Sequence, residues 1–95
     1  MREVSNVVHN EGASRFELRL QGQLCFARYD VIDGVMWLPH TETPLALRGR
    51  GLAAQVVRAA LDYARAQGLK VRPACSYVRT YLRRHPEAQD LLEQT

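Results

Sequence analysis

The sequence has few cysteines and histidines and no long apolar run, and these shortages exclude several classes of protein. Cys25 and Cys75 are its only cysteines, too few for a disulfide scaffold, and they form no Cys-x-x-Cys pair. The three histidines, His9, His40 and His85, lie far apart and offer no zinc-ligand spacing. No apolar run approaches the roughly 20 residues that a membrane-spanning helix needs. We therefore expect neither a structural metal site nor a membrane span.

The first residues, MREVSNVVHNEG, also lack the basic start and apolar core of a signal peptide. With so few cysteines, this predicts a cytoplasmic protein. The length of 95 residues predicts one domain, residues 1–95, with a single modest core. No linker, repeat or low-complexity segment divides it.

Acidic residues are almost absent from the middle of the chain. Residues 43–86 hold nine lysines and arginines against Asp62 alone, whereas residues 1–42 hold four arginines against six acids. This asymmetry indicates an anionic partner such as a nucleotide, a nucleic acid or a phosphate. The alternative is a solvated arginine surface that binds nothing.

Periodicity predicts a β-rich first half. Asp33-Gly34 is a strong hairpin signal, because both central residues of a type I′ turn need positive φ, and Gln21-Gly22 is a second tight turn. VMWLPH is nearly continuously apolar, which is typical of a strand buried on both faces. Four segments are predicted as strands: VSNVV at 4–8, RFELRL at 15–20, QLCFARYDVI at 23–32 and VMWLPH at 35–40.

After Pro44 the period becomes helical. Apolar residues from Leu52 to Ala64 predict one amphipathic helix, which Gly68 ends. Residues 69–75 alternate as a further strand, Ser76 is the expected N-cap of a short helix, and a last helical turn follows at residue 86. The order β-β-β-β-α-β-α predicts an α+β fold with a mixed, mostly antiparallel sheet. The strand–helix–strand crossover gives this sheet one parallel strand pair.

The stretch LRGRGLA places two glycines and two arginines where the long helix begins. A helix N-terminus has about four backbone N–H groups without partners and carries roughly half a positive charge. Glycines let a large anion approach these groups, and the arginines add full charges. The segment therefore predicts a phosphate-binding turn. The alternative is an arginine-glycine turn without a ligand.

This stretch resembles the pyrophosphate-binding motif [Q/R]-x-x-G-x-[G/A] of the GNAT superfamily of acetyl-CoA-dependent N-acetyltransferases. Arg48, Gly51 and Ala53 fill its fixed positions. From His40 to Glu87 the chain also resembles a minimal, single-domain GNAT-like subgroup, in the segments HTETP, LRGRGLA and ALDYARAQGLKVRPACSYVRTYLRRHPE. Thr43 and Ser76 are the main departures, and neither removes a chemical group.

The resemblance implies a GNAT-like fold that binds acetyl-CoA in a cleft at the parallel strand pair. The N–H groups of about residues 48–53 would bind the coenzyme A pyrophosphate. The pantetheine arm would lie between strands that diverge near Pro39–Thr41 and Pro73–Cys75. Arg79 and Arg83 are further candidates for its adenosine phosphates. The cofactor-binding residues expected are Pro39, His40, Thr41, Arg48, Gly49, Arg50, Gly51, Leu52, Ala53, Cys75, Tyr77, Val78, Tyr81 and Arg84.

Acetyl transfer needs a deprotonated amine, a polarised carbonyl and a protonated leaving thiolate. His40 and Glu42 share one side of a strand and could relay the amine proton. The alternative is that Glu42 pairs with Arg48 and that His40 packs beside Trp37.

Cys75 and the tyrosines Tyr77 and Tyr81 are further candidates for a part in catalysis. Cys75, beside the start of a helix, is a candidate for transient acetylation, and the alternative is that it is a core residue. Cys25 is predicted to be a core residue. The resemblance implies a tyrosine as the general acid on the coenzyme sulfur, for which we expect Tyr81, with Tyr77 packing. The four candidate catalytic residues are thus Cys75, Glu42, His40 and Tyr81.

These observations predict an acetyl-CoA-dependent N-acetyltransferase that acts on an unidentified amine, as a monomer or weak homodimer. The first alternative is a binding module for coenzyme A without catalysis, since its glycine turn would look the same. The second is a nucleic-acid-binding domain that uses the stripe of Arg58 and Arg65, which ranks lower because no aromatic residues are interleaved with it.

Overall fold

The computed structural model describes residues 6–93, which form one five-stranded sheet in the order β1-β2-β3-β4-β5. The first four strands are antiparallel, and β5 pairs with β4 in parallel. This confirms the α+β fold with its parallel pair. The strands are β1 (Val8–Asn10), β2 (Arg15–Leu20), β3 (Gln23–Ile32), β4 (Val35–Glu42) and β5 (Lys70–Arg72).

The strand predicted over 4–8 overlaps the observed β1 only at Val8. Residues 4 and 5 lie outside the described residues, and β1 continues to Asn10. Both predicted tight turns are present with positive φ at each central residue: 54° and 73° at Gln21 and Gly22, 53° and 78° at Asp33 and Gly34. The hairpin registers of β2–β3 and β3–β4 follow from these turns.

Two α-helices follow, α1 (Leu52–Gln67) and α2 (Ser76–Arg84), with 3₁₀ helices at Glu11–Ala13, Leu45–Leu47 and Pro86–Leu91. The prediction that Ser76 is the N-cap of α2 is wrong, because Cys75 takes that position. The Cys75 N–H donates to the Leu38 carbonyl at 3.1 Å. This bond keeps Cys75 extended as a continuation of the sheet, so the helix starts at the next residue.

The core lies between the sheet and α1, and α2 adds to the same cluster. Val56, Val57 and Ala60 of α1 are fully buried, as are Met36 and Leu38 of β4. The prediction that β4 is buried on both faces is wrong, because the residues that alternate with these are only half-buried. On that second face the Trp37 ring lies under the Arg72 guanidinium, 4.4 Å from its carbon, rather than under a helix.

A β-bulge interrupts β4 near Pro39. Pairing moves two residues along β3, from Arg28 to Asp30, while it moves three along β4, from His40 to Trp37. The additional residue bends β4 and changes which side chains face the helix layer. Proline suits this position because it has no N–H to donate to the ladder. The bend lies just beyond the last residue pair between β4 and β5.

We predict that Gly68→Ala lowers the free energy of unfolding by about 1–2 kcal/mol. Gly68 ends α1 in the left-handed region, at φ 70°, and its N–H donates to the last turn of the helix. A Cβ is unfavourable in that conformation, although no neighbouring atom lies within 4 Å of it. Urea denaturation followed by circular dichroism measures the change.

Gly12→Ala is the matched control, since Gly12 is not at positive φ and its added Cβ meets only an ordinary contact at 3.7 Å. We expect a change within about 0.5 kcal/mol for this variant. Equal losses in the two variants would contradict the conformational explanation for Gly68.

Candidate functional site

The glycine turn before α1 is built on left-handed backbone. Gly49 has φ 85° and Gly51, the N-cap of α1, has φ 76°. A Cβ built at either glycine would meet no atom within 4 Å. Backbone conformation, rather than close packing against the protein, is therefore what requires glycine here. Because both glycines lack a side chain, the space directly before the helix is open.

The N-terminus of α1 has no side-chain cap among the described residues. The N–H groups of its first turn therefore have neither intrahelical nor capping partners. Arg48 lies beside this end, and its Nε donates to the Thr43 carbonyl at 3.2 Å, which ties it to the start of the loop. The predicted alternative of a Glu42–Arg48 pair is not formed. This helix end presents uncapped donors and nearby positive charge.

A cavity of about 440 Å³ opens in front of these donors. Its size lies within the range of small-molecule sites. Of the residues that line it, the sequence did not assign Thr43 and Leu47 to the site; Thr43 stood out only as a departure from the family pattern. The lining residues are Thr41, Thr43, Leu47, Arg48, Gly49, Gly51, Leu52, Ala53 and Tyr77.

The two parallel strands part beside this cavity. Residue pairing between β4 and β5 ends at Trp37 and Arg72, and within residues 6–93 the Cys75 N–H to Leu38 carbonyl bond is the last link between the two backbones beyond it. β4 continues to Glu42 without β5 at its edge. The expected divergence of the strands at residues 39–41 and 73–75 thus matches the observed geometry.

Cys75 lies where the strands part, and polar donors surround its thiol. Burial alone would raise its pKa, but the Val78 N–H, the Tyr77 N–H and Thr41 donate hydrogen bonds that outweigh burial. The Thr41 hydroxyl lies 3.6 Å from Cys75 Sγ. The pKa of Cys75 is therefore held below its ordinary value, as the position at the start of α2 predicts.

Val78 contributes to this site through its backbone alone, since its side chain is fully buried in the core. Cys25 is also fully buried, as predicted, and burial raises its pKa even though its Sγ lies 3.3 Å from the Thr43 hydroxyl. The two cysteines therefore have opposite chemical character. The larger thiolate fraction at neutral pH is therefore expected at Cys75.

His40 and Glu42 form the predicted pair, with 3.1 Å between Nε2 and Oε1. They lie on the sheet face opposite α1. His40 pairs with Arg28 and Thr41 with the buried Ala27, so consecutive residues of β4 point to opposite faces. The His40 ring meets the Phe26 ring edge-on at 5.9 Å, rather than packing beside Trp37. The pair is exposed and borders the end of β4.

The two tyrosines of α2 lie in different cavities. Tyr77 lines the glycine cavity, whereas Tyr81 lines a second cavity against α1 and stacks on the His85 ring. Burial raises the pKa of both phenols, and the positive charge of Arg84 partly opposes the rise at Tyr77. The structure therefore brings Tyr77, not Tyr81, to the other predicted site residues.

The remaining predicted residues lie around the cavity rather than in its lining. Arg50 is exposed in the glycine turn, Pro39 is half-buried at the bulge, and Arg84 is exposed on α2. Arg79 donates to the Pro73 carbonyl at 3.2 Å. Arg83 donates to the Thr80 hydroxyl at 3.3 Å.

The arginine stripe suggested for nucleic acids is partly occupied by protein contacts. Arg65 donates two hydrogen bonds to the Asp90 carboxylate, at 2.8 and 2.9 Å.

Within residues 6–93 no cluster of His, Cys, Asp or Glu side chains is arranged to hold a metal ion. No helix of that same part of the chain has the length and apolar character needed to cross a membrane.

We predict that Cys75 is alkylated by iodoacetamide at lower pH than the same cysteine in the urea-unfolded chain. The lowered pKa leaves more thiolate at neutral pH, and the thiolate is the reactive form. Thr41→Val removes one donor and moves the rate profile to higher pH. Mass spectrometry of the peptides that contain each cysteine gives both rates.

Thr43→Val is the matched control, because Thr43 contacts Cys25 rather than Cys75. Its Cys75 profile should coincide with that of the parent chain. Two results would contradict this account of the thiol. One is a pH profile of alkylation that is unchanged by Thr41→Val, and the other is a Cys75 profile that is the same in the folded and the unfolded chain.

Comparison with known proteins agrees with this geometry. The family model for GCN5-related N-acetyl-transferase matches residues 15–91. Protein NATD1 of Mus musculus and of Homo sapiens are each 36% identical over 90 residues, which cover 90% of this chain and 80% and 78% of theirs. The solution structure of a GCN5-like protein from Staphylococcus aureus superposes with a TM-score of 0.68 at 22% identity, over 97% of this chain and 93% of that one. The chain belongs to the family of GCN5-related N-acetyltransferases.

Proposed function

We propose that this protein binds acetyl-CoA at the glycine turn and transfers the acetyl group to an amine. One observation carries the proposal. The uncapped N-terminus of α1 opens into a cavity of about 440 Å³, and Thr41 in its wall lies 3.6 Å from the Cys75 thiol. The uncapped helix end thus opens into the cavity, and Thr41 links the cavity wall to the Cys75 thiol, which lies just outside the lining.

The residues present suit the phosphate groups of coenzyme A. Gly49 and Gly51 have no side chains to obstruct the first-turn N–H groups of α1, which favour a negative charge. Arg48 and Arg50 add positive charge in the same turn, and Arg84 lies close enough to influence Tyr77. Guanidinium groups suit phosphate oxygens because they donate several hydrogen bonds in one plane.

The free edge of β4 suits the amide-containing arm of the cofactor. Beyond Leu38, β5 no longer pairs with this edge. The hydrogen bond from the Thr41 backbone to Cys75 shows that the Thr41 N–H points into the gap between the strands. An extended chain with amide groups would hydrogen-bond to this edge of β4 by displacing the Cys75 thiol from the Thr41 N–H.

Acetyl-CoA supplies a thioester-activated acetyl group when it is bound. Cys75 is the nucleophile that this chain offers in the gap, and its thiolate is favoured by the surrounding donors. Attack on the acetyl carbonyl would form a bond to Sγ and release the coenzyme thiolate. The acceptor amine would then take the acetyl group and restore the Cys75 thiolate.

His40 and Glu42 would handle the proton of the acceptor. They lie on the face of the sheet opposite α1, whereas Thr41 between them lines the glycine cavity. We infer that the acceptor approaches from this open face and the cofactor from the helix face. His40 would accept the ammonium proton, and Glu42 at 3.1 Å would stabilise the resulting imidazolium.

Tyr77 is the tyrosine best placed to protonate the leaving thiolate. It lines the glycine cavity, and burial raises its pKa, which keeps the phenol protonated and able to donate. Tyr81, the residue expected from the sequence, lies in the second cavity.

We predict that Gly49→Ala raises the Kd for coenzyme A about tenfold, which corresponds to roughly 1.4 kcal/mol. The added methyl group enters the open space before α1, and the left-handed turn is strained. Isothermal titration calorimetry with coenzyme A measures the effect.

Gly22→Ala is the matched control for backbone strain, since Gly22 has φ 73° and also meets no atom within 4 Å, but lies in the β2–β3 turn. Its Kd should equal that of the parent chain. Equal weakening in both variants would show that general destabilisation, and not the glycine cavity, controls binding.

Acetyl transfer at saturating acetyl-CoA separates an enzyme from a binding module. We predict that Cys75→Ala, Glu42→Gln and Tyr77→Phe each lower the rate by about 10²-fold or more, with a smaller loss for Tyr81→Phe. The release of free coenzyme thiol in the presence of spermidine and of a short peptide with a free N-terminus measures the rate.

Arg19→Gln, an exposed change on β2, should leave that rate unchanged. A background rate that stays the same in all the site variants, with coenzyme A still bound, would favour the non-catalytic module. If, of the two tyrosine variants, only Tyr81→Phe lowers the rate, then Tyr81 rather than Tyr77 is the general acid.

A further inference from the structure

The second cavity lies between α1, the end of α2 and the 3₁₀ helix Pro86–Leu91. It also has a volume of about 440 Å³, yet neither the glycine turn nor the parted strands contribute to it. Its floor is apolar, formed by Leu61, Ala88 and Leu91, which are all buried. Charged side chains surround this floor: Arg58, Asp62, Arg65 and Glu87.

Hydrogen bonds fix the walls of this cavity. Arg65 binds both carboxylate oxygens of Asp90 and the Glu87 carbonyl, and Lys70 donates to the Asp90 carbonyl at 2.9 Å. On the other side the His85 ring stacks on Tyr81, with centroids 3.8 Å apart and planes 11° from parallel. The cavity is therefore preformed, as small-molecule sites usually are.

Three charged groups at the rim have no hydrogen-bond or ion-pair partner through their side chains among residues 6–93. They are the Arg58 guanidinium and the Asp62 and Glu87 carboxylates. All three act electrostatically on the Tyr81 phenol, so they converge on one part of the cavity. By contrast, Arg65 is paired with Asp90 through two hydrogen bonds, although Asp62 also acts on it electrostatically. One cation and two carboxylates thus remain for a ligand.

His85 adds an acceptor to this set. Its Nδ1 donates to the Tyr81 carbonyl at 2.7 Å, which leaves Nε2 as an acceptor in the neutral ring. A ligand ammonium group could use this nitrogen and the two carboxylates, and a ligand carboxylate could use Arg58. The buried leucines and Ala88 would accept an apolar side chain.

We propose that this second cavity binds a free α-amino acid with an apolar side chain. The ammonium group lies at Asp62 and Glu87, the carboxylate at Arg58 and the side chain on the apolar floor. The site is separate from the glycine cavity, and the proposal does not depend on acetyl transfer.

Titration of the ¹⁵N-labelled full chain with L-leucine tests the proposal, with N-acetyl-L-leucine and L-leucinamide as matched probes. The first probe lacks the ammonium charge and the second lacks the carboxylate. We expect saturable shifts at residues of the cavity with L-leucine, and at least about tenfold weaker binding of either analogue. Equal binding of all three compounds, or no saturable shift with L-leucine, would overturn the proposal.

Single variants assign the two charges. Asp62→Asn should weaken the binding of L-leucine about tenfold. It should weaken the binding of L-leucinamide, which keeps the ammonium group, more than that of N-acetyl-L-leucine, which keeps the carboxylate. Arg58→Gln should weaken the binding of N-acetyl-L-leucine more than that of L-leucinamide. Arg19→Gln removes the same charge from β2 and should have no effect. Unchanged spectra elsewhere confirm that each variant is folded.

Coenzyme A distinguishes a separate site from an extension of the cofactor site. L-leucine should bind with the same Kd whether or not coenzyme A is present at saturation. Displacement of L-leucine by coenzyme A would overturn the proposal, because the second cavity would then belong to the cofactor. If coenzyme A does not bind at all, the proposed function is contradicted. The proposal for the second cavity is then decided by the L-leucine titration alone.

Discussion

The early end of the pairing between β4 and β5 is the constraint on which the site depends. Three residue pairs join these strands, the Cys75 N–H to Leu38 carbonyl bond lies just beyond them, and β4 then bends at the bulge near Pro39 while the chain turns into α2 at Cys75. Continued pairing would cover the thiol and close the edge of β4 beyond Leu38. Because the strands part, a backbone edge, a thiol and the end of α1 meet at one opening.

The two faces of the sheet take different parts in this arrangement. α1 covers one face, where the core excludes water and the glycine turn stands at the helix end. The other face has no α-helix on it among residues 6–93, and its charged side chains are arranged in pairs, such as His40 with Glu42 and Arg72 with Glu93. The alternation of consecutive residues along β4 therefore separates the groups proposed for the acceptor from those proposed for the cofactor.

Local patterns predicted much of this correctly, and the errors have physical causes. The turns at Gln21 and Asp33 and the end of α1 at Gly68 depend on backbone conformations that few residues accept. Polar and apolar residues alternate along β2, a pattern that by itself favours an exposed Glu17, whereas Glu17 is buried and is held by Arg15 and Asn10. The Asn10 contact comes from the neighbouring strand β1, which a pattern within one segment does not report.

The sequence by itself determined the order of elements, the glycine turn at the start of α1 and the family, because each depends on residues close together in the chain. Only the tertiary structure decided which tyrosine faces the glycine cavity. Tyr77 and Tyr81 lie one turn apart on α2, and the packing of α2 against α1 and the sheet sends them to different cavities. It likewise decided the direction of the pKa shift of each cysteine, since burial raises the pKa of Cys25 while donors from β4 and α2 lower that of Cys75.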